Sequence, residues 1–201
     1  MVTLMLVDDQ AMVRGALGAL LDLEDDLEVV AQAADADSAV SRAAEVKPDV
    51  CLMDIQLAGE DGIAATPRVI AASPGTRVLI VTTFARPGYL RAALEAGASG
   101  FVVKDAPAEE LADAVRRVHT GLRVVDPALA EESLFAGASP LTDREAELLR
   151  LALEGISVAD MATRVHLSAG TVRNHLSAAI GKTGSENRAQ AARQAREKGW
   201  I

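Results

Sequence analysis

Five short apolar runs punctuate the first part of the chain: "TLMLV" (3–7), "LEVVAQA" (27–33), "DVCLM" (49–53), "RVLIV" (77–81) and "GFVV" (100–103). Each has the length of a strand, and the stretches between them repeat apolar positions at helical spacing. The pattern predicts strands at these runs and helices at about 10–22, 37–46, 61–71, 87–96 and 107–119. The last of these opens on Pro107, with Glu109 and Glu110 close to its positive dipole end. Strands with little polar alternation are buried on both faces, and alternating β and α elements wind such strands into a parallel sheet by right-handed crossovers. Residues 1–120 are therefore expected to form an α/β domain around a five-stranded, doubly wound parallel sheet.

The periodicity lapses across "GLRVVDPALAEESLFAGASP" (121–140), bracketed by Gly121, Pro127, Gly137 and Pro140. This predicts a linker over 121–138 with a short helix at 127–135. Residues 139–201 read as a small all-α domain. In "LTDREAELLRLALEG", Thr142 and Glu145 stand in capping-box register before an apolar stripe, and Gly155 follows it. "SVADMATRV" predicts a short helix from Ser157, and "LSAGTVRNHLSAAIGK" one that begins after Ser168. Only His166 to Ser168 separate the two, the signature of a helix-turn-helix whose second helix turns Val172, Leu176, Ala179 and Ile180 inward. Thr171, Arg173, Asn174 and Ser177 then face outward. Arg and Asn carry forked groups that read guanine and adenine edges, while Lys182, Arg188 and Arg164 are candidates for phosphate contacts.

Charge changes the picture only when it is divided. The 201 residues carry a net −9, which by itself argues against nucleic acid. Residues 1–138, however, hold 11 basic and 22 acidic side chains, a net −11, whereas residues 139–201 hold 9 and 7, a net +2. The two parts are built for different partners. A hydrophobic content of 50% supports genuine cores, and no run approaches the length of a membrane span. Met1 to Val7 is followed at once by Asp8 and Asp9 without a basic n-region, so a cytoplasmic protein is expected. Cys51 lies within an apolar run and reads as a small packed side chain. His119, His166 and His175 lack the paired spacing of a zinc site.

Ligands bind parallel sheets at the carboxyl ends of the strands. Asp8 and Asp9 end the first strand, Asp54 the third, Thr82 the fourth and Lys104 the fifth, so five polar groups should converge on one rim. Crowded carboxylates repel one another unless a cation joins them, and hard oxygen ligands suit Mg²⁺. An aspartate can attack phosphorus, with an ammonium neutralising charge on the transferred group; Asp54 is the candidate nucleophile and Lys104 the ammonium. A haloacid-dehalogenase-type phosphatase also places Asp after a buried strand, but it needs a second Asp two residues later, where Gln56 stands. Without that acid/base the phosphoaspartate should persist, which suits a signal and not an enzyme. An aromatic content of 2% leaves no base-stacking platform for RNA. The alternative output is a protein-interaction module controlled by the first domain, without specific DNA binding. "GKT" (181–183) is no nucleotide-binding loop, since Leu176 occupies the first glycine position and no strand precedes it.

These residues carry a family resemblance. Residues 1–120 resemble the flavodoxin-like receiver domains of two-component response regulators. The resemblance implies that Asp8 and Asp9 are the acidic pair, Asp54 the phosphoacceptor, Thr82 the switch hydroxyl, Phe101 the switch aromatic and Lys104 the conserved-type lysine. It also implies that the main-chain carbonyl of Gln56 joins Asp8, Asp9 and Asp54 around Mg²⁺. Leu57-Ala58 stands where the family usually has Met-Pro, which removes a backbone constraint from the loop over the site. Through "LTDRE", "GTVRNHLS" and "NRAQA", residues 139–201 resemble LuxR-type DNA-binding domains, with Thr183 where an apolar residue is usual. Together these describe the NarL/FixJ architecture. "GALGALLDLEDDLEVV", "TTFARPGYLRAALEAG" and "REKGW" are similar to the DesR type within it. That likeness implies a membrane-bound, DesK-like sensor histidine kinase as partner and a phosphorylation-driven homodimer through helices 1 and 5, around Met12, Leu17, Leu20, Val115 and Val118. The dimer would then bind double-stranded DNA to regulate transcription.

Overall fold

The apolar runs form the strands expected of them: β1 (Val2–Val7), β2 (Leu27–Ala33), β3 (Val50–Met53), β4 (Arg77–Thr82) and β5 (Gly100–Val103). They alternate with α1 (Ala11–Leu21), α2 (Ala36–Val46), α3 (Gly62–Ala72), α4 (Pro87–Glu95) and α5 (Ala108–His119). The structure is a computed structural model and describes residues 1–83, 87–127, 129–130 and 139–201. The chain separates into two compact units, one holding the sheet and the other the C-terminal helices.

The sheet is wholly parallel in the order β2-β1-β3-β4-β5-β6, and the sixth strand is a departure from the expected five. β6 (Val124–Val125) lies inside the expected linker and pairs Val124 with Gly100 and Val125 with Phe101. Two residues are too few to show a period, so only the open edge of β5 reveals them as a strand. Gly100 makes the pairing possible, because a Cβ there would stand 2.7 Å from the Val124 carbonyl oxygen. Of the short helix expected at 127–135, Pro127, Leu129 and Ala130 are helical, and the other positions lie outside the described residues.

One apolar layer packs α2, α3 and α4 on one face of the sheet, with Met5, Cys51, Met53, Ile80 and Phe101 at its centre. The other packs α1 and α5 against Leu4, Leu6, Leu52, Leu79 and Val81. α5 has one apolar stripe, Leu111, Ala112, Ala114, Val115 and Val118, and the sheet takes all of it. Val115 and Val118 are fully buried and therefore cannot belong to a pairing surface. Leu17 is half-buried against the same layer. Met12, 85% exposed, and Leu20, 45% exposed, remain on the outside.

The second unit contains α6 (Asp143–Leu153), α7 (Val158–Arg164), α8 (Ala169–Thr183) and α9 (Arg188–Glu197). Each N-cap is occupied by the residue type that a helix start favours: Thr142 with a full capping box to Glu145, then Ser157, Ser168 and Asn187. Leu148, Leu149, Met161, Val172, Leu176 and Ala179 meet in its core. The tight turn between α7 and α8 bends through His166 at φ 53°; its N–H bonds the Thr163 carbonyl and that of Leu167 bonds the Ala162 carbonyl. This is a Schellman closure with His in the position glycine usually holds. Among the described residues no helix is long and apolar enough to cross a membrane.

Candidate functional site: an acidic pocket and an outward helix face

Asp54 follows β3 directly, and its N–H bonds the Val7 carbonyl at 2.9 Å, so the sheet register carries on to the rim. Asp8 and Asp54 are 3% and 4% exposed, while Asp9 faces solvent. A carboxylate oxygen from each lies within 4.8 Å of the other two. Lys104, one residue beyond β5, donates from Nζ to Asp8 Oδ2 at 2.7 Å and to Asp54 Oδ2 at 2.8 Å. Burial alone would lower the pKa of this ammonium, but its hydrogen bonds to Asp54 and Asp8 outweigh burial and hold it above the ordinary value. Three carboxylates against one ammonium leave an excess of negative charge on hard oxygen donors, a set that fits Mg²⁺.

Thr82 and Phe101 are both fully buried. Phe101 pairs with Ile80 and Thr82 with Val103, and the period of two puts Thr82 and Phe101 diagonally opposite on one face of neighbouring strands. The Lys104 N–H bonds the Thr82 carbonyl at 2.8 Å, which ties the ends of β4 and β5 together beside Asp54.

The loop after Asp54 lacks the family's proline but is restrained otherwise. Gln56 and Asp61 form an antiparallel bridge, the Gly62 N–H bonds the Ile55 carbonyl at 2.8 Å, and Asp61 caps α3 through the Ile63 N–H at 2.7 Å. Gly62 is indispensable to this packing, since a Cβ there would fall 1.9 Å from the Asp54 carbonyl oxygen. Arg14 is a further participant that sequence reasoning passed over. Its Nη1 donates to the Asp8 carbonyl at 2.5 Å and its Nε to Gln32 at 3.3 Å, holding the acidic turn from outside. Its position one turn into α1, beneath the end of β1, was the available signal.

In the second unit Arg173, Asn174 and Ser177 project from α8 into solvent, opposite the buried Val172, Leu176 and Ala179. Thr171 is half-exposed and its hydroxyl is 2.8 Å from that of Ser168 at the cap. Arg188 opens α9 and is half-exposed. Two of the expected phosphate contacts already hold acidic partners: Arg164 donates to Glu154 at 2.6 Å and Lys182 to Glu145 at 2.7 Å. Thr183, apolar in the family pattern, is buried with its hydroxyl bonded to the Ala179 carbonyl at 2.9 Å and to Ser185 at 3.0 Å, so its polarity is satisfied within the fold.

Comparison with known proteins finds a match for each of the two units. Residues 4–116 match the response regulator receiver domain, and residues 139–195 match the luxR family of bacterial regulatory proteins. The transcriptional regulatory protein DesR of Bacillus subtilis is 42% identical over 201 residues, the whole of both chains. The response regulator RamR of Streptomyces coelicolor is 40% identical over 202 residues, covering 100% of this chain and 98% of its own. The crystal structure of a LuxR-family two-component response regulator from Aurantimonas sp. SI85-9A1 superposes with a TM-score of 0.64 at 36% identity, over 67% of this chain and 96% of that one.

Proposed function

Because the chain belongs to the response regulators that join a receiver domain to a luxR-type DNA-binding domain, we propose that phosphoryl transfer to Asp54 controls its binding to DNA. The observation that carries this reading is the placement of Asp54, a buried carboxylate at a strand end, 2.8 Å from the Lys104 ammonium and clustered with Asp8 and Asp9. A donor phosphohistidine, from a sensor histidine kinase of the membrane-bound DesK type, meets the Asp54 carboxylate. One of its oxygens forms a P–O bond as the donor's P–N bond breaks and the imidazole leaves. Lys104 neutralises charge on the transferred group. Asp8, Asp9, Asp54 and the main-chain carbonyl of Gln56 would hold Mg²⁺, which supplies further neutralisation of the phosphoryl oxygens. Gln56 brings no acid/base two residues after Asp54, so the product is a lasting signal.

The Thr82 hydroxyl is the group within the sheet that can turn to a phosphoryl oxygen, and Phe101 packs diagonally beside it, so the two form a packing switch. In the output unit Thr171, Arg173, Asn174 and Ser177 read bases, and Arg188 and Arg164 approach phosphates. Mass spectrometry after treatment with acetyl phosphate and Mg²⁺ tests the premise. One phosphate on Asp54, absent from Asp54→Asn, is expected; phosphate on another residue with Asp54 unmodified overturns it.

A further inference from the structure

Glu145 is a carboxylate inside the second unit, 4% exposed, three residues into α6. Its Oε2 accepts from the Thr142 N–H at 2.8 Å, completing the capping box, and also from Lys182 Nζ at 2.7 Å. The first bond is local; the second spans 37 residues and joins the start of α6 to the last turn of α8. Lys182 is well placed for this, because a cation in the last turn of a helix is favoured by the helix dipole.

We infer that Glu145 is a positioning residue for DNA binding: by holding Lys182 it fastens the end of α8 to the capping box of α6 and so sets the angle at which Arg173 and Asn174 are presented. Lys182 is then part of the scaffold and not a phosphate contact. Were it to swing to a phosphate, it would leave Glu145 buried without its cation, which is the costly arrangement for a carboxylate, in exchange for a solvent-exposed contact of small value. Arg188 has no such tie to a buried acid among the described residues and keeps the phosphate role. The inference rests on the DNA-binding reading above.

The test uses the full chain and its variants Glu145→Gln, Lys182→Met, Lys182→Arg and the Glu145→Gln/Lys182→Met double. The single tryptophan, Trp200, packs against the core of the second unit and reports its melting. Binding to a random-sequence duplex is followed by anisotropy at several salt concentrations, at a temperature where every variant is folded. Lys182→Met is expected to melt earlier, to bind several-fold more weakly, and to keep the parent's slope of log affinity against log salt. Lys182→Arg should recover most of both losses, and the double variant should melt close to the Glu145→Gln single. A slope reduced by about 0.9 in Lys182→Met, the signature of one lost phosphate contact, overturns the inference. So do additive melting losses, or undiminished affinity in folded Glu145→Gln. If the parent binds no duplex, the DNA-binding reading fails on its own, and the melting cycle still decides whether the clamp exists.

Discussion

At the scale of single residues, the pocket sets two carboxylates against one ammonium in a buried rim, and each group is justified by the others. Asp8 and Asp54 share Lys104 Nζ, so replacing Lys104 would leave two buried carboxylates facing each other. Thr82 differs, because its side chain is neutral and its carbonyl, not its hydroxyl, ties β4 to the Lys104 N–H. Thr82→Ala should therefore leave the pocket intact and accept phosphate at a rate near that of the parent. The phosphorylated variant should nevertheless lose most of its gain in DNA affinity, measured by gel shift with and without acetyl phosphate. A full gain would show that the hydroxyl is not part of the switch.

At the scale of elements, α8 divides its faces cleanly. Val172, Leu176 and Ala179 are buried while Arg173, Asn174 and Ser177 are in solvent, and the cap at Ser168 fixes where the helix begins. Arg173 makes no ion pair among the described residues, so its removal costs the fold little. Arg173→Ala is expected to weaken operator binding by about 1–3 kcal/mol and to relax preference at one base pair, with the melting temperature unchanged. Selection from a randomised duplex pool, parent against variant, measures this; an unaltered consensus would displace Arg173 from the base-reading face.

At the scale of the whole molecule, charge and proton linkage act differently on the two units. A first part of −11 joined to a second part of +2 should make a single chain a poor ligand for DNA. Were two chains to pair, as the exposed Met12 and Leu20 of α1 allow, the contacts would double and the second half-site engagement would become intramolecular. Half-sites about one helical turn, roughly 10 bp, apart in an inverted repeat follow. Sedimentation of Mg²⁺-loaded protein before and after beryllofluoride should show monomer converting to dimer; a monomer with full operator affinity would replace pairing with release of the output unit. As for pH, Glu145 has its pKa lowered because its bonds to Lys182 and Thr142 outweigh burial, and Asp49 likewise through Thr3. Their stabilisation is present above their unfolded values of about 4 and is lost as pH falls through the lower folded values. At the other end burial pushes the Cys51 thiol up, so the unfolded chain releases that proton above about pH 8.5 and stability falls. Lys104, raised, adds a loss as pH climbs through its folded value. Acid should loosen both units, whereas alkali acts through these groups on the first alone. Circular dichroism melts from pH 3 to 11 should show Cys51→Ala flattening the decline that begins near pH 8.5; an unchanged decline would exclude the thiol.

What the sequence determined by itself was whatever is encoded within a few residues. The periods of two and 3.6, the caps at Thr142, Ser157 and Ser168, and the acids placed just after apolar runs were legible because strands, helix starts and strand ends are local events. Even the rim of the sheet followed from them, since any parallel sheet gathers its strand ends. Tertiary structure decided what depends on partners far along the chain. Lys104 finds Asp8 across 96 residues and Glu145 finds Lys182 across 37. β6 exists only because β5 offers an edge, and Val115 and Val118 are inward because the sheet takes the whole stripe of α5. A local pattern states that a side chain is apolar or charged; which surface buries it and which counter-charge it meets are settled by packing, where the free energy of desolvation and pairing is determined.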